Sequence, residues 1–166
     1  LASGASNVAV TAETEDAFAK LLTEACSTLA RSIPADGEGA THLITIHVRG
    51  CGTRDDARKI AHTVADSPLV KTAIAGADPN WGRIVSAAGY ADVPFDPAGL
   101  ELRVNGHLLF AALRPTDFTE SEISASIRSA KEVTIDLSFS EGDADARFWT
   151  TDLTTEYVRL NADYRT

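Results

Sequence analysis

Apolar residues recur at helical spacing in the first third of the chain. The first stripe predicts a helix that begins after Thr14 and ends before Pro34, with acidic residues at its start to match the helix dipole. Its members are Phe18, Leu21, Leu22, Ala25 and Leu29. A second helix is predicted after Thr53, which has Asp56 three residues later as in a capping pair. Its apolar members are Ala57, Ile60, Ala61 and Val64.

Runs of alternating or mainly apolar residues predict strands in other parts of the chain. Residues 42–48 form one such run, and residues 133–139 form another, which a turn at 141–143 joins to a returning strand over 144–150. The runs 100–104 and 107–113 flank Asn105-Gly106, a pair that tolerates the positive φ angles of a tight hairpin turn. These patterns predict two hairpins and one separate strand.

The remaining segments are shorter. Residues 69–74 indicate a short buried strand or an extended link, and Asp78 followed by Pro79 predicts the start of a third helix. Thr119 opens a further helix, and a last one runs through Leu153, Tyr157 and Leu160 into a polar tail over 161–166. The order predicts an α/β fold of the α+β type, with helices layered on a largely antiparallel sheet. Residues 94–97 are a candidate boundary between lobes 1–93 and 94–166.

Composition narrows the classes of function. With 44% hydrophobic and 23% charged residues, the chain resembles a folded domain, and its net charge of −9 argues against nucleic-acid and anionic-membrane partners. Apolar runs fall short of the roughly 20 residues that a membrane helix needs. Cys26 and Cys51 lack the spacing of a disulfide scaffold or a cysteine zinc site, which favours a reducing, cytoplasmic location. The chain begins at Leu1 and contains no methionine, so we expect a trimmed or processed piece of a longer protein.

Common catalytic motifs are missing from the sequence. There is no G-x-S-x-G elbow and no glycine-rich phosphate loop, and neither cysteine has a catalytic context. His42 and His47 are predicted on opposite faces of one strand, and no histidine pair has metal-ligand spacing. We therefore interpret the histidines as surface residues or satisfied core residues, and we expect no metal site.

Two segments look unusual. Glu38 stands between two glycines before a strand, where a carboxylate can approach an ammonium group, although a solvated loop charge is favoured on the pattern alone. Residues 71–83 combine Lys71, Trp81 and Arg83 with a helix start, which can hold a carboxylate. Helix capping and burial of the tryptophan explain the second segment equally well.

The residues that carry a family resemblance lie in four places along the chain. They are 67–73 (SPLVKTA), 76–84 (GADPNWGRI), 38–41 (EGAT) and the C-terminal stretch that holds 150–154 (TTDLT) and 157–166. Together they resemble the C-terminal region of the bifunctional arginine-biosynthesis acetyltransferases, the ornithine acetyltransferase family. The resemblance implies the ornithine acetyltransferase/DmpA-like fold, with residues 1–166 as the C-terminal part of the β chain.

The same resemblance implies a mechanism. In the family, a precursor cleaves itself before a threonine into α and β chains that assemble as α2β2, and this threonine is the nucleophile. It passes acetyl from N2-acetylornithine to glutamate through an acyl-enzyme, without a cofactor, and acetyl-CoA is a further candidate donor. The matched segment lacks that threonine and the oxyanion-hole residues, so we expect no catalytic residue here. Glu38, Asn161 and Thr166 fall on positions that contact the amino-acid substrate, with Glu38 paired to an ammonium group of ornithine.

Two alternatives stay open on the sequence. One is a related N-acyltransferase of secondary metabolism that uses another amine. The other is a non-catalytic fragment that folds alone and serves as an interaction module.

Overall fold

The computed structural model describes residues 4–163, so the candidate residue Thr166 lies outside the described residues. The chain divides into two compact units, Leu1–Ile33 and Pro34–Thr166. The division falls between Ile33 and Pro34 and not at residues 94–97. The second unit has one sheet that contains strands from both sides of residues 94–97.

The first unit contains most of helix α1 (Glu15–Ala35). The predicted helix is therefore confirmed, but it continues through Pro34 instead of ending before it. None of its residues is buried. Its exposed apolar side chains are Phe18, Leu21, Leu22, Leu29 and Ile33, and each is at least half exposed.

The second unit is built on a six-stranded sheet in the order β4-β3-β2-β5-β1-β6. The strands are β1 (Leu43–Cys51), β2 (Glu101–Val104), β3 (His107–Ala111), β4 (Arg114–Pro115), β5 (Glu132–Ser138) and β6 (Ala144–Thr151). Strands β1 and β5 run parallel, while the other neighbouring pairs run antiparallel. The expected largely antiparallel sheet is confirmed.

Strands β5 and β6 do not form the predicted hairpin, because β1 lies between them. The segment that connects them crosses the end of β1, where the amides of Glu141 and Gly142 donate to the carbonyl oxygen of Gly50, each over 2.9 Å. Gly50 has a φ of 76°, and a Cβ there would collide with the carbonyl of Phe139. A glycine is thus required where this crossing meets β1.

Apart from the last two residues of α1, the second unit contains five α-helices within the described residues from Pro34 onward, and one short 3-10 helix over Pro97–Gly99. The α-helices are α2 (Arg54–Asp66), α3 (Pro68–Ala75), α4 (Trp81–Gly89), α5 (Glu120–Ser129) and α6 (Thr155–Asp163). The expected strand or link at 69–74 is wrong, since these residues lie in α3, where Ser67 is the N-cap and Pro68 follows at the first helical position. The N-cap of α4 is Asn80 and not Asp78.

The core lies between the helices and one face of the sheet. Its largest fully buried residues include Ile44, Ile46, Ile60, Ile84, Leu102, Ile123, Ile135 and Leu137. Alternate residues on the other face of β1 are polar, and His47 and Arg49 are among them. The structure therefore has one helix-covered sheet face and one face that carries charged side chains.

Candidate functional site

Glu38 lies in a short loop between α1 and β1. The amide of Gly37 donates to the carbonyl of Pro34 over 3.1 Å, and the amide of Ala40 donates to Gly37 over 3.0 Å, which makes the loop tight. The Glu38 side chain is exposed, and its carboxylate has no hydrogen bond or ion pair with any residue between 4 and 163. The carboxylate is therefore open to a ligand from solution.

Gly39 lets this loop approach helix α6. Its φ is 70°, and a Cβ at this position would lie 2.6 Å from the backbone nitrogen of Tyr157. The Oγ1 hydroxyl of Thr154 donates to the Gly39 carbonyl over 2.6 Å and accepts from the amide of Tyr157 over 3.1 Å. Thr154 thus caps the start of α6 and attaches it to the residue next to Glu38.

A buried polar cluster anchors the same loop from its other end. Asp152, only 3% exposed, accepts from the amide of Thr41 over 2.9 Å and from the Thr41 hydroxyl over 2.5 Å. Its second oxygen also lies 2.8 Å from Nδ1 of His42, whose Nε2 lies 3.2 Å from the carbonyl oxygen of Ile127. Both ring nitrogens of His42 therefore have a hydrogen-bond partner. His42 is thus a satisfied core histidine, as the sequence interpretation held.

Asn161 lies on α6, one turn beyond Tyr157. It is exposed, and its side-chain amide donates to the Tyr157 carbonyl over 2.9 Å. Residues 161–163 lie in α6, so the structure describes this part of the expected polar tail as helix. The structure therefore brings the Glu38 loop and the helix that carries Asn161 together through Gly39, Thr154 and Tyr157.

The segment 71–83 has structural contacts. The guanidinium of Arg83 donates to the carbonyl of Leu69 over 3.1 Å, and the ring of Trp81 stacks on Phe110 with centroids 5.4 Å apart. The carbonyl of Lys71 accepts from the amide of Leu153 over 3.3 Å, which places α3 beside the segment that holds Asp152. These contacts favour the capping and packing interpretation of this segment.

The polar sheet face carries a second histidine. His47 lies 2.8 Å from the guanidinium of Arg49, 3.5 Å from Asp145 and 3.8 Å from Asp136. Burial lowers its pKa from the usual 6.5, and the positive charges of Arg49 and Arg147 lower it further. Within residues 4–163, no three histidine, cysteine or acidic side chains cluster as a metal site would require.

Asp152 and Thr154, the two residues that join the loop to α6, were not among the residues predicted from the sequence. Both lie in the TTDLT segment, but their partners are more than a hundred positions earlier in the chain. The one local signal is a carboxylate and a hydroxyl directly after a strand and before a helix. No helix in the described part of the chain is long and apolar enough to cross a membrane.

Comparison with known proteins gives consistent matches over the whole chain. The model of the ArgJ family matches residues 1–166. The arginine biosynthesis bifunctional protein ArgJ of Dehalococcoides mccartyi is 46% identical over 149 residues, which cover 90% of this chain and 36% of that protein. A glutamate N-acetyltransferase of Methanopyrus kandleri is 44% identical over 170 residues, which cover 100% of this chain and 44% of that protein.

A solved structure agrees with these matches. The crystal structure of the arginine biosynthesis bifunctional protein ArgJ from Bacillus halodurans superimposes with a TM-score of 0.93 at 38% identity. The match covers 98% of this chain and 78% of that chain. The present chain thus spans less than half the length of the curated relatives it matches.

Proposed function

This chain belongs to the ArgJ family, and we propose on that basis that it is part of an acetyltransferase of arginine biosynthesis. The proposed reaction moves the acetyl group of N2-acetylornithine to glutamate. The name of the Methanopyrus relative, glutamate N-acetyltransferase, supports the acceptor. Acetyl-CoA is a further proposed acetyl donor.

The proposed chemistry is covalent catalysis by a threonine that the remainder of the enzyme contributes. Its hydroxyl oxygen attacks the acetyl carbonyl carbon, the carbon–nitrogen bond breaks, and ornithine leaves with the proton. The α-amino group of glutamate then attacks the acyl-threonine ester, which restores the hydroxyl and releases N-acetylglutamate. This chain supplies substrate-binding residues to that cycle.

The observation that carries the proposal is the join between the Glu38 loop and α6. The Glu38 carboxylate is free of partners within residues 4–163, and its loop is held against the helix that carries Asn161. An acceptor-only carboxylate suits the ammonium group of ornithine, while an amide side chain both donates and accepts. Thr166, which lies beyond the described residues, remains a proposed substrate contact.

The proposed partner is the N-terminal α chain of the same precursor, in a cytoplasmic α2β2 assembly. Support comes from α1, whose apolar stripe has no buried member. A contiguous apolar surface of this kind is typical of an interaction site. The relatives are more than twice the length of this chain, so they contain enough further sequence to cover it.

The test is an acetyl-transfer assay on the complete enzyme, formed by this chain with the remainder of the precursor. We expect N-acetylglutamate to form from N2-acetylornithine and glutamate, and we expect none from the chain alone. Transfer only from another N-acetylated amine would replace the proposal with a related N-acyltransferase. A complete preparation without transfer from any such donor would favour the interaction module.

A further inference from the structure

We propose that Asp152 and Thr154 are positioning residues that fix the Glu38 loop against α6 and thereby set the spacing between the substrate-binding side chains. This inference rests on the proposed function for the roles of Glu38 and Asn161. The two positioning residues lie between β6 and α6 and have no assigned role in the mechanism proposed above. Neither needs to touch the substrate.

The first step is the way in which Asp152 is buried. It is 3% exposed, and its oxygens receive the amide and the hydroxyl of Thr41 and lie next to Nδ1 of His42. Its own amide donates back to the His42 carbonyl over 3.2 Å. A carboxylate is costly to bury unless its oxygens are filled in this way. The segment 41–42 is therefore held in one position relative to Asp152.

The second step is that Thr154 holds the loop at another point. It donates to the Gly39 carbonyl, while its oxygen accepts from the first turn of α6 at Tyr157. Both attachments, at Gly39 and at Thr41, lie within three residues of Glu38. The loop backbone is thus fixed on the C-terminal side of Glu38, while the Glu38 carboxylate itself is left unoccupied by residues 4–163.

A fixed spacing between the Glu38 loop and α6 favours substrate binding. Two side chains on different elements bind one small substrate less tightly when the elements can move apart. Binding must then fix the elements, and the lost conformational entropy reduces the affinity. An exposed loop with glycines on both sides of Glu38 would otherwise sample many conformations. Attachment through Asp152 and Thr154 removes that freedom before substrate arrives.

The test is steady-state kinetics of the complete enzyme with three threonine variants. Thr154→Val removes the bond to Gly39 together with the cap on Tyr157, and Thr154→Ser retains the hydroxyl. Thr63→Val removes a hydroxyl-to-carbonyl bond on α2 as the control. We expect Thr154→Val to raise KM for the amino-acid substrate about fivefold or more with kcat little changed, which is the signature of lost ground-state binding. Thr154→Ser should restore KM, and Thr63→Val should leave it unchanged.

Asp152→Asn is the second variant, with folding checked by its melting temperature. We expect a larger rise in KM, because the amide cannot accept from both Thr41 and His42. Hydrogen exchange of residues 38–41 in the same preparations gives a readout that needs no activity. Faster exchange in Thr154→Val than in Thr63→Val supports the inference.

Two results would overturn the inference. One is unchanged exchange at 38–41 in Thr154→Val, and the other is a loss of kcat with KM unchanged. If the wild-type enzyme transfers no acetyl group, the proposed function fails, and the exchange comparison alone decides whether the loop is held as described.

Discussion

Two carboxylates near the candidate site have opposite environments. The Asp152 carboxylate is buried and its oxygens are occupied by Thr41 and His42, whereas the Glu38 carboxylate is exposed and has no partner within residues 4–163. A carboxylate whose oxygens are all hydrogen-bonded inside the protein stabilises the fold, while one without partners on a fixed loop can bind a cation. The difference separates a positioning role for Asp152 from a binding role for Glu38.

Glu38→Gln should raise KM for the amino-acid substrate in the complete enzyme by about tenfold to a hundredfold, the range expected for a lost charged hydrogen bond. Turnover should change less, because the ammonium group is bound alike in the ground state and the transition state. The measurement is steady-state kinetics of acetyl transfer. Asp36→Asn, which removes another exposed carboxylate from the same loop, is the matched control. Equal kinetics of the two variants would show that Glu38 is a solvated loop residue without a role in substrate binding.

His47 should make stability depend on pH near neutrality. Its pKa is lowered in the folded protein, mainly by burial, from the usual value of 6.5. Between the lowered pKa and 6.5 the unfolded chain binds more protons than the folded chain, so the free energy of unfolding rises with pH. The contribution of neutral His47 to the free energy of unfolding is complete above its pKa in the unfolded chain. It is lost as the pH falls from that value towards the lowered pKa of the folded protein.

His47→Gln should flatten this dependence. The measurement is the urea-unfolding midpoint at several values between about pH 5.5 and 7.5, compared with the wild-type protein. If both proteins lose stability with the same slope as pH falls through this range, the histidine does not carry the effect.

At the scale of elements, the sequence pattern predicted correctly the turns and helix caps that depend on neighbouring residues. Asn105 and Gly106 have φ values of 48° and 81°, as the hairpin prediction required, and Thr53 caps α2 with the amide of Asp56 as its donor. The error at 69–74 had a local cause as well, since Ser67-Pro68 is a helix start that the short, mostly apolar segment after it concealed.

Pairings between distant segments could not be predicted. The insertion of β1 between β5 and β6 depends on a crossing held by Gly50, about 90 positions before its partners Glu141 and Gly142. The candidate site behaves in the same way. Asn161 and the substrate contact of Glu38 were predicted from family resemblance, while the contacts of Asp152 and Thr154 join residues more than a hundred positions apart. Only the folded chain brings them together.

Gly106→Ala tests the hairpin. Nothing lies within 4 Å of the added Cβ, so the cost comes from the positive φ alone, and we expect a loss of about 1 kcal/mol in the free energy of unfolding. Gly89→Ala, at the end of α4, also meets open space but has no positive φ, so it should be neutral or slightly stabilising. Urea unfolding of the two variants makes the comparison. Equal stability of the two would contradict the conformational explanation.

At the scale of the whole molecule, the two units differ in how much apolar surface they leave uncovered. The second unit has a continuous core, while α1 has no buried residue among the 21 that form it. Such a helix has little stability by itself, because most of the stability of helices in proteins comes from packing an apolar face against other elements. The proposed partner chain would supply that packing.

Cys26 can report whether α1 is covered in the complete enzyme. It is exposed, and it lies four residues after Leu22 and three before Leu29, on the apolar side of the helix. Cys51 is the internal control, since it is buried in the second unit and its pKa is raised to about 11 by burial and by the charges of Glu141 and Asp56. Because the thiolate is the reactive form, Cys51 should resist alkylation as long as the second unit is folded.

We therefore expect iodoacetamide to modify Cys26 in the chain alone and to modify it much more slowly in the complete enzyme, with Cys51 protected in both samples. Peptide mass mapping of samples taken over time gives the rate at each cysteine. Rapid modification of Cys51 in the chain alone would mean that the second unit itself needs the partner to fold. Equal rates at Cys26 in both samples, with Cys51 protected, would show that the partner chain leaves α1 uncovered, and the apolar stripe would then need another occupant.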